Sequence, residues 1–423
     1  MTITAIKLIF IIQNFSQICN SVIHFILGIK LFQKSQNIFD YSLIFAFQLL
    51  PGMMFLFPAG ILIDKFSRVK ILFYCDLASI IFSLILLLWL YNTQITTFFI
   101  YLYVSCFSLI SSIHGITFVS VISSNVSTEL KNKTAVLITL QRMIPRLISP
   151  LFAGVAFTKD LIDFIIILDI LSFLFAALVS WRLKESDKII SKVRFKGSSI
   201  ELIKSGLTYI IKHPRLIYLL ILLLVSSLTV SFLGAYTMPI ALLKTSPDKA
   251  GMAISVSGIG AIIGGVLYGL LYKKILNTRL VTIYCLIIQG LILFLSIFIN
   301  NSICLVLLLF SYFFFEPIQK GTNYALWQHI IPPHMYGRVF SIVRFLQQLI
   351  VVVTFLFAGV LGEEAATLTH FIKEAYVNGG FSDKEIKIRK EEGMLIILSI
   401  IGFCQIVITF FFCFKKNLIF IYE

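Results

Sequence analysis

Apolar runs of about 20 residues recur along almost the whole chain, separated by short breaks that contain charged residues, Pro or Gly. An α-helix of that length crosses a hydrocarbon layer of about 30 Å, and it satisfies its own backbone hydrogen bonds where water is absent. Of the 423 residues, 59% are hydrophobic and 13% are charged, whereas soluble domains carry about 25% charged residues. The sequence therefore predicts an all-α integral membrane protein.

Twelve spans are predicted from these runs, with each end defined to within about four residues. The first run contains several polar residues and lacks a small-residue cleavage site, so we expect it to stay in the mature protein and not to act as a signal peptide. In order, the spans lie near residues 8–31, 42–63, 71–90, 98–123, 134–157, 161–181, 216–240, 250–272, 280–299, 302–326, 339–362 and 393–414.

The distribution of basic residues predicts the orientation. Most of the 35 Lys and Arg residues lie in segments that are cytoplasmic if the N-terminus is cytoplasmic, and the largest group lies between residues 182 and 215. Cytoplasmic loops of membrane proteins carry such an excess, which accounts for the net charge of +15 without a nucleic-acid partner. We expect both termini in the cytoplasm of a plasma membrane, in particular a bacterial inner membrane.

An internal repeat predicts two related halves. Leu151–Gly154 recurs as Leu356–Gly359, an offset of 356 − 151 = 205 residues that also places Gly60 on Gly265. Transporters built from such repeats place their substrate site between them, near the bilayer midplane. The predicted domains are an N-terminal six-helix bundle (1–185), a cytoplasmic linker with an interfacial helix (186–214) and a C-terminal six-helix bundle (215–423).

The repeat fails after span 11. The offset predicts the partner of span 6 near residue 366, but the last apolar run begins near residue 393, about 27 residues later (393 − 366). We expect an external insertion at about 363–392, where Glu, Lys and Asp are frequent. A solvated loop is favoured there over a short amphipathic helix.

A loop after span 2 carries a family resemblance. Residues 60–70 read Gly60-Ile-Leu-Ile-Asp64-Lys-Phe-Ser-Arg68-Val-Lys70, which resembles the signature loop between helices 2 and 3 of the major facilitator superfamily. The resemblance implies twelve helices in two pseudo-symmetric bundles, and a conformational latch that closes the inner side. The latch residues are Gly60, Asp64, Arg68 and Lys70, with Gly337 and Arg338 from the corresponding loop of the second half.

Further motifs resemble one branch of that superfamily. The loop at 328–341, Asp76 in span 3 and the segment 168–173 in span 6 are similar to the macrolide-efflux and enterobactin-exporter branch. Ser149–Gly154 in span 5 is similar to the proline-glycine motif of proton-coupled antiporters, although the extended glycine series of that motif is missing. The resemblance implies a secondary transporter that exports its substrate in exchange for protons.

Charged side chains inside lipid are rare and usually functional, and they supply the candidate site. The polar residues of span 1 step by four, three and four positions and so share one helix face, which we expect to line the cavity together with the charged residues. An excess of basic side chains predicts a substrate with an anionic or strongly accepting group. The substrate and coupling candidates are Glu316, Lys320, Asp169, Arg142, Arg146, Arg344, Gln17, Asn20 and His24.

Several of these residues have alternative interpretations. Glu316 and Lys320 lie at i and i+4 and form a helix-surface pair as readily as a coupling site. Structural pairing of Asp76 with nearby basic loops is favoured over proton carriage, and His24 and His114 are favoured as hydrogen-bonded lining residues over metal ligands. The glycines of span 8 predict tight helix packing and not a nucleotide-binding turn, because no strand precedes them.

The leading functional prediction is a proton-coupled exporter of amphipathic small molecules such as drugs, antibiotics or siderophore-like metabolites, acting as a monomer without a cofactor or metal. A metabolite or lysophospholipid carrier of the same fold is the alternative. A membrane-embedded enzyme is disfavoured, because the spans contain no HExxH, paired-histidine or Ser-His-Asp arrangement. The absence of a Walker-type phosphate loop argues against ATP-driven transport by this chain.

Overall fold

The computed structural model describes residues 3–55, 66–92, 96–124, 131–182, 199–272, 277–332, 335–374 and 383–414. These ranges contain thirteen α-helices, one short 3-10 helix (Leu295–Phe298) and no β-strand. In chain order the α-helices are α1 (Ile3–Ser35), α2 (Ile38–Met54), α3 (Arg68–Asn92), α4 (Thr97–Ser124), α5 (Lys131–Thr158), α6 (Ile162–Arg182), α7 (Ser199–Lys212), α8 (Pro214–Lys244), α9 (Pro247–Leu271), α10 (Thr278–Phe294), α11 (Ser302–Ile330), α12 (Tyr336–Glu374) and α13 (Asp383–Phe414).

The apolar runs of the sequence become membrane-length helices. Ten described helices are long and apolar enough to cross a membrane, and α2 and the Leu147–Thr158 part of α5 are shorter apolar helices. Together these twelve follow the order of the predicted spans, and α7 lies in the predicted linker. The all-α membrane fold predicted from the sequence is confirmed.

Short polar segments start several of the helices. Asn37, Asn277 and Asn301 precede α2, α10 and α11, and each side chain accepts a hydrogen bond from the backbone N–H three residues later, at 2.8–3.1 Å. An asparagine at this position satisfies one of the backbone donors left free in the first helical turn. The sharp breaks between consecutive apolar runs therefore have a local cause in the sequence.

The chain divides into two compact units. Unit 1 comprises Met1–Lys192 and Ser246–Ser255, the latter including the first residues of α9. Within it α3 packs along α6 and α4, α2 packs on α4, and α1 packs on α5 and α6. Gly52 of α2 allows a close approach to α4, because its N–H donates to Ser108 Oγ at 3.0 Å and a Cβ would lie 2.9 Å from the Ser108 carbonyl oxygen.

Unit 2 comprises Val193–Thr245 and Val256–Glu423. Within it α10 packs on α11 and α13, and α12 packs on α8 and α13. A large apolar cluster joins α7, α8, α10, α11 and the start of α12. It includes the fully buried residues Leu216, Leu223, Leu286, Trp327 and Val339.

Two glycines of α9 make the close contacts predicted for span 8. A Cβ on Gly260 or Gly264 would overlap the carbonyl oxygen of Phe310 or Phe314 on α11. Gly269, on the same helix, has no described side chain or neighbouring backbone within 4 Å of its Cβ position. The packing interpretation thus holds for part of the glycine series and not for all of it.

The linker helix α7 has two kinds of surface. Ile210 is buried in the apolar cluster of unit 2, and a Cβ on Gly206 would lie 3.0 Å from the carbonyl oxygen of Arg338 on α12. Leu207 and Ile211 are 42% and 61% exposed. One face of α7 therefore packs onto unit 2, and its position on a membrane surface stays a prediction.

The described parts of the predicted external insertion are helical. α12 continues to Glu374 and α13 begins at Asp383, so the favoured solvated loop is wrong for these parts. Lys390 Nζ lies 2.9 Å from Glu363 Oε2, and Lys244 Nζ lies 2.5 Å from Glu391 Oε1. Glu363, Lys390 and Glu391, which looked loop-like in sequence, therefore form ion pairs between helices.

Candidate functional site

The polar face of α1 turns into the interior of unit 1. Gln13, Asn20 and His24 are buried, and Gln17 is half-buried. The His24 ring lies 5.6 Å from that of Phe107 on α4, centroid to centroid. The buried Asn20 Nδ2 and His24 Nδ1 atoms have no hydrogen-bond partner among the described residues, so this face offers free polar groups for a bound molecule or water.

Asp169 of α6 is a fully buried carboxylate with an incomplete hydrogen-bond shell. Its Oδ2 accepts from Ser83 Oγ of α3 at 2.7 Å, and its Oδ1 has no hydrogen-bond partner in the described part of the chain. Burial of an ionised carboxylate with a single neutral donor is expensive. The geometry therefore favours a carboxyl group that binds a proton or accepts a hydrogen bond from a polar ligand.

Asp76 of α3 has partners that the sequence did not predict. Gln13 Nε2 lies 3.1 Å from Oδ2, Ser180 Oγ lies 3.4 Å from Oδ2, and His114 Nε2 lies 3.4 Å from Oδ1. The last contact is within ion-pair range but lacks hydrogen-bond geometry. The expected pairing of Asp76 with basic loops is wrong for the described residues, because the carboxylate turns inward to three other helices.

Glu316 and Lys320 of α11 are brought together. Lys320 Nζ donates to Glu316 Oε1, and the Lys320 side chain is 30% exposed against 11% for Glu316. Pro317 lies between them. The i,i+4 pair is therefore present, and the more exposed lysine is the partner that a solute would meet first.

Unit 2 also contains a polar network that sequence reasoning missed. Gln347 of α12 donates from Nε2 to Ser227 Oγ of α8 at 3.3 Å and accepts from the Tyr324 hydroxyl of α11 at 3.1 Å. Ser226 Oγ donates to Gln319 Oε1 at 3.1 Å. The available signal was the amide spacing of α11, where Gln319 and Asn323 lie one turn apart in an apolar run.

The arginine candidates are only partly described. Arg142 and Arg146 lie on α5 on either side of Pro145, but their side chains are outside the described part of the structure. Arg344 is exposed on α12. Asp169 belongs to unit 1 and Glu316 to unit 2, so the two acidic candidates are not members of one cluster within a unit.

The predicted latch is also divided. Gly60 and Asp64 lie outside the described residues, whereas Arg68 and Lys70 are in the first turn of α3. Gly337 and Arg338, the latch residues from the second half of the sequence, are in the first turn of α12. Their role stays a prediction.

The proline-glycine segment of α5 makes a close contact inside unit 1. A Cβ on Gly154 would overlap the carbonyl oxygen of Pro247, and a Cβ on Gly251 would overlap that of Pro150. Two backbones therefore touch where side chains normally intervene. The sequence motif in α5 has a structural counterpart in the first turns of α9.

The described ranges show no cluster of candidate metal ligands. They contain no group of three or more His, Cys, Asp or Glu residues that could hold an ion. The six cysteines that are described are free thiols.

A family model described as Major Facilitator Superfamily matches residues 9–355. The chain belongs to the major facilitator superfamily. Its members carry small-molecule substrates across membranes, so the chain is an integral membrane transporter and not a membrane-embedded enzyme. No curated protein sequence matches it.

Solved structures of superfamily transporters share the fold at low sequence identity. A bacterial homologue of the human lysosomal transporter Spinster, in an inward-facing and occupied conformation, has a TM-score of 0.77 and 12% identity over 98% of this chain and 96% of that one. The peptide transporter PepTSo gives 0.67 and 12% over 97% and 99%. A bacterial homologue of the iron transporter ferroportin gives 0.65 and 11% over 96% and 99%. Because these relatives differ in what they carry, they establish the fold and not the substrate.

Proposed function

We propose that this superfamily member is a proton-coupled exporter of amphipathic small molecules such as drugs, antibiotics or siderophore-like metabolites. The observation that carries the proposal is a buried acidic side chain within a spanning helix of each unit, Asp169 in unit 1 and Glu316 in unit 2. Acidic groups at such positions are expensive and mark proton or substrate pathways. The macrolide-efflux and enterobactin-exporter resemblance supplies the direction of transport.

Glu316 is the first candidate for the protonated group. In the present geometry Lys320 neutralises Glu316, and this ion pair disfavours protonation of the carboxylate. An anionic substrate that contacts the half-exposed Lys320 would compete with Glu316, and the carboxylate released from its partner would then bind a proton. Asp169, which has an unpartnered oxygen, is the second candidate.

The substrate is proposed to carry an anionic or strongly accepting group. The predicted spans contain four basic candidates and two acidic ones, Glu316 and Asp169. The basic candidates are Arg142, Arg146, Lys320 and Arg344. A guanidinium recognises carboxylate and phosphate groups through paired hydrogen bonds, and a charge-assisted hydrogen bond contributes about 1.5–3 kcal/mol. The polar face of α1, with Gln17, Asn20 and His24, would complete the lining.

The contact between Gly154 and Pro247 supports an antiport cycle. With the predicted orientation, these residues lie at the outer ends of α5 and α9. Small residues let two helix backbones approach closely in a membrane, which suits a seal that closes one side of the membrane while the other is open. The latch residues Gly60, Asp64, Arg68, Lys70, Gly337 and Arg338 would close the inner side in turn.

The test is substrate-driven proton movement in proteoliposomes that contain the full chain. Carboxyfluorescein, ethidium and lysophosphatidylcholine serve as anionic, cationic and zwitterionic probes. We expect the anionic probe to move protons with wild type. Glu316→Gln should lose proton movement, and Arg142→Ala should bind the anionic probe at least about tenfold more weakly.

The outcomes separate the alternatives. Transport of lysophosphatidylcholine alone would support the lipid or metabolite carrier instead. Full coupling in both Glu316→Gln and Asp169→Asn would eliminate these two acids as proton carriers. Unchanged binding of carboxyfluorescein by Arg142→Ala would remove the main residue of the positive-cavity argument.

The cellular setting is also proposed. A single chain in a bacterial inner membrane, with both termini cytoplasmic, fits the distribution of basic residues. Protons and the small-molecule substrate are then the only partners that the transport cycle requires.

A further inference from the structure

Asp76 lies where four helices of unit 1 meet, and the function proposed above does not use it. The carboxylate belongs to α3, and its three polar partners come from three other helices: Gln13 of α1, His114 of α4 and Ser180 of α6. Asp76 is completely buried, and His114 is 4% exposed. This is a built polar cluster inside a helix bundle.

Of the three partners of Asp76, only His114 can change its charge. Gln13 and Ser180 are neutral hydrogen-bond donors, and Cys75 is the titratable neighbour on α3 itself. No Lys or Arg forms an ion pair with Asp76 within the described ranges. Asp169 of α6 lies eleven residues from Ser180, about three helical turns away, and bonds to Ser83.

The charge of the cluster depends on one proton. With Asp76 ionised and His114 neutral the cluster carries one negative charge, and one added proton makes it neutral whether the carboxylate or the imidazole holds it. A net charge in a dry helix interior is strongly unfavourable. The closed bundle therefore favours the proton-loaded cluster, and water that reaches it favours release.

We propose that Asp76 and His114 together form a proton-binding site in the interior of unit 1. Proton binding there does not depend on the function proposed above, but the role of the site in transport rests on it. The pair differs from Glu316 and Lys320, because lysine supplies a fixed positive charge and a proton there would leave that charge unpaired.

The position of the pair suggests what the proton would act on. Asp76 is eight residues from Arg68 (76 − 68), which corresponds to about 12 Å along α3. Arg68 and Lys70 occupy the first turn of this helix and belong to the predicted latch. Changing the charge at Asp76 alters how α3 packs against α1, α4 and α6, and α3 carries that change to the latch end.

Proton binding is tested without a substrate by NMR of the full chain in lipid nanodiscs, with 13C in the histidine rings. The chain has six histidines, and His114→Gln identifies the resonance of His114. Over a titration from about pH 5 to about pH 8, we expect the response of that resonance to differ between wild type and Asp76→Asn. Ser79→Ala is the matched control, because Ser79 is buried one turn away on α3 and, among the described residues, bonds only to its own helix backbone at Cys75.

A His114 resonance that stays constant over this range, or that responds identically in wild type and Asp76→Asn, overturns the proposal. The transport role is tested with the proteoliposome assay above. We expect Asp76→Asn and His114→Gln to lose at least about tenfold in proton movement and Ser79→Ala to keep it. Wild type without proton movement would defeat the proposed function alone, whereas full coupling in both variants would defeat the role of this pair alone.

Discussion

At the scale of single residues, two glycines decide how closely α5 and the first residues of α9 approach within unit 1. Gly154 and Gly251 each face a backbone carbonyl oxygen of the other helix. A side chain at either position has no space, although alanine favours a helix over glycine by about 1 kcal/mol. The requirement for glycine is therefore tertiary and opposes the local helix preference.

Gly154→Ala is expected to destabilise the protein for this reason. The added methyl group must push α5 and α9 apart, and overpacking of this kind costs about 1–3 kcal/mol. The measurement is the thermal unfolding transition of the purified protein in one detergent, compared with wild type. We expect a lower transition temperature.

Gly269→Ala supplies the matched control. It makes the same substitution on α9 where no atom lies within 4 Å of the Cβ position, so its transition should stay equal to wild type or rise slightly. Equal transitions for Gly154→Ala and Gly269→Ala would show that the close contact contributes nothing to stability.

At the scale of elements, α12 and α13 extend beyond their apolar runs and are joined to other helices by ion pairs. Lys244, at the end of α8, pairs with Glu391 of α13 and also donates to the Ile299 carbonyl oxygen at 3.4 Å. The Lys244 and Glu391 side chains are 11% and 15% exposed. This pair holds α13 near Glu391 against the end of α8.

The pair Lys244–Glu391 predicts a charge-swap result. Lys244→Glu places two carboxylates together and should lower the thermal transition by the equivalent of about 1 kcal/mol. The double variant Lys244→Glu, Glu391→Lys should recover most of the loss. Lys249→Glu, an equal charge change at an exposed position, is the control, and failure of the double variant to recover would argue against a specific pair.

At the scale of the whole molecule, the distribution of Lys and Arg predicts the orientation of all twelve spans. A periplasmic-type reporter fused at Ser382, between α12 and α13, should be active, and one fused at Lys196 in the linker should be inactive. Fusions of this kind read the side of the membrane and need no substrate. Activity at Lys196 alone would reverse the orientation, and with it the assignment of inner and outer ends used for the latch.

Much of the fold was accessible from the sequence because it depends on local physics. Apolar length predicted the number and order of the spans, whereas the asparagine caps at Asn277 and Asn301, which begin two of the helices, were identified only in the structure. The predicted loop at 363–392 is wrong in its described parts, because frequent charged residues predict a solvated segment, whereas the structure pairs Lys390 with Glu363. Charge in a sequence does not reveal whether its partner is water or another helix.

The sequence by itself determined that this chain is a helical membrane transporter with acidic and basic groups inside its spans. Only the tertiary structure decided which of those groups are in contact, because a contact between helices depends on the rotation of each helix about its axis. Each residue turns the helix by about 100°, and the sequence of an apolar run does not show which side faces a neighbouring helix. Glu316 and Lys320 could be paired from spacing, since they share a helix. Asp76 and His114 are 38 residues apart (114 − 76) on different helices, and packing alone brings them together.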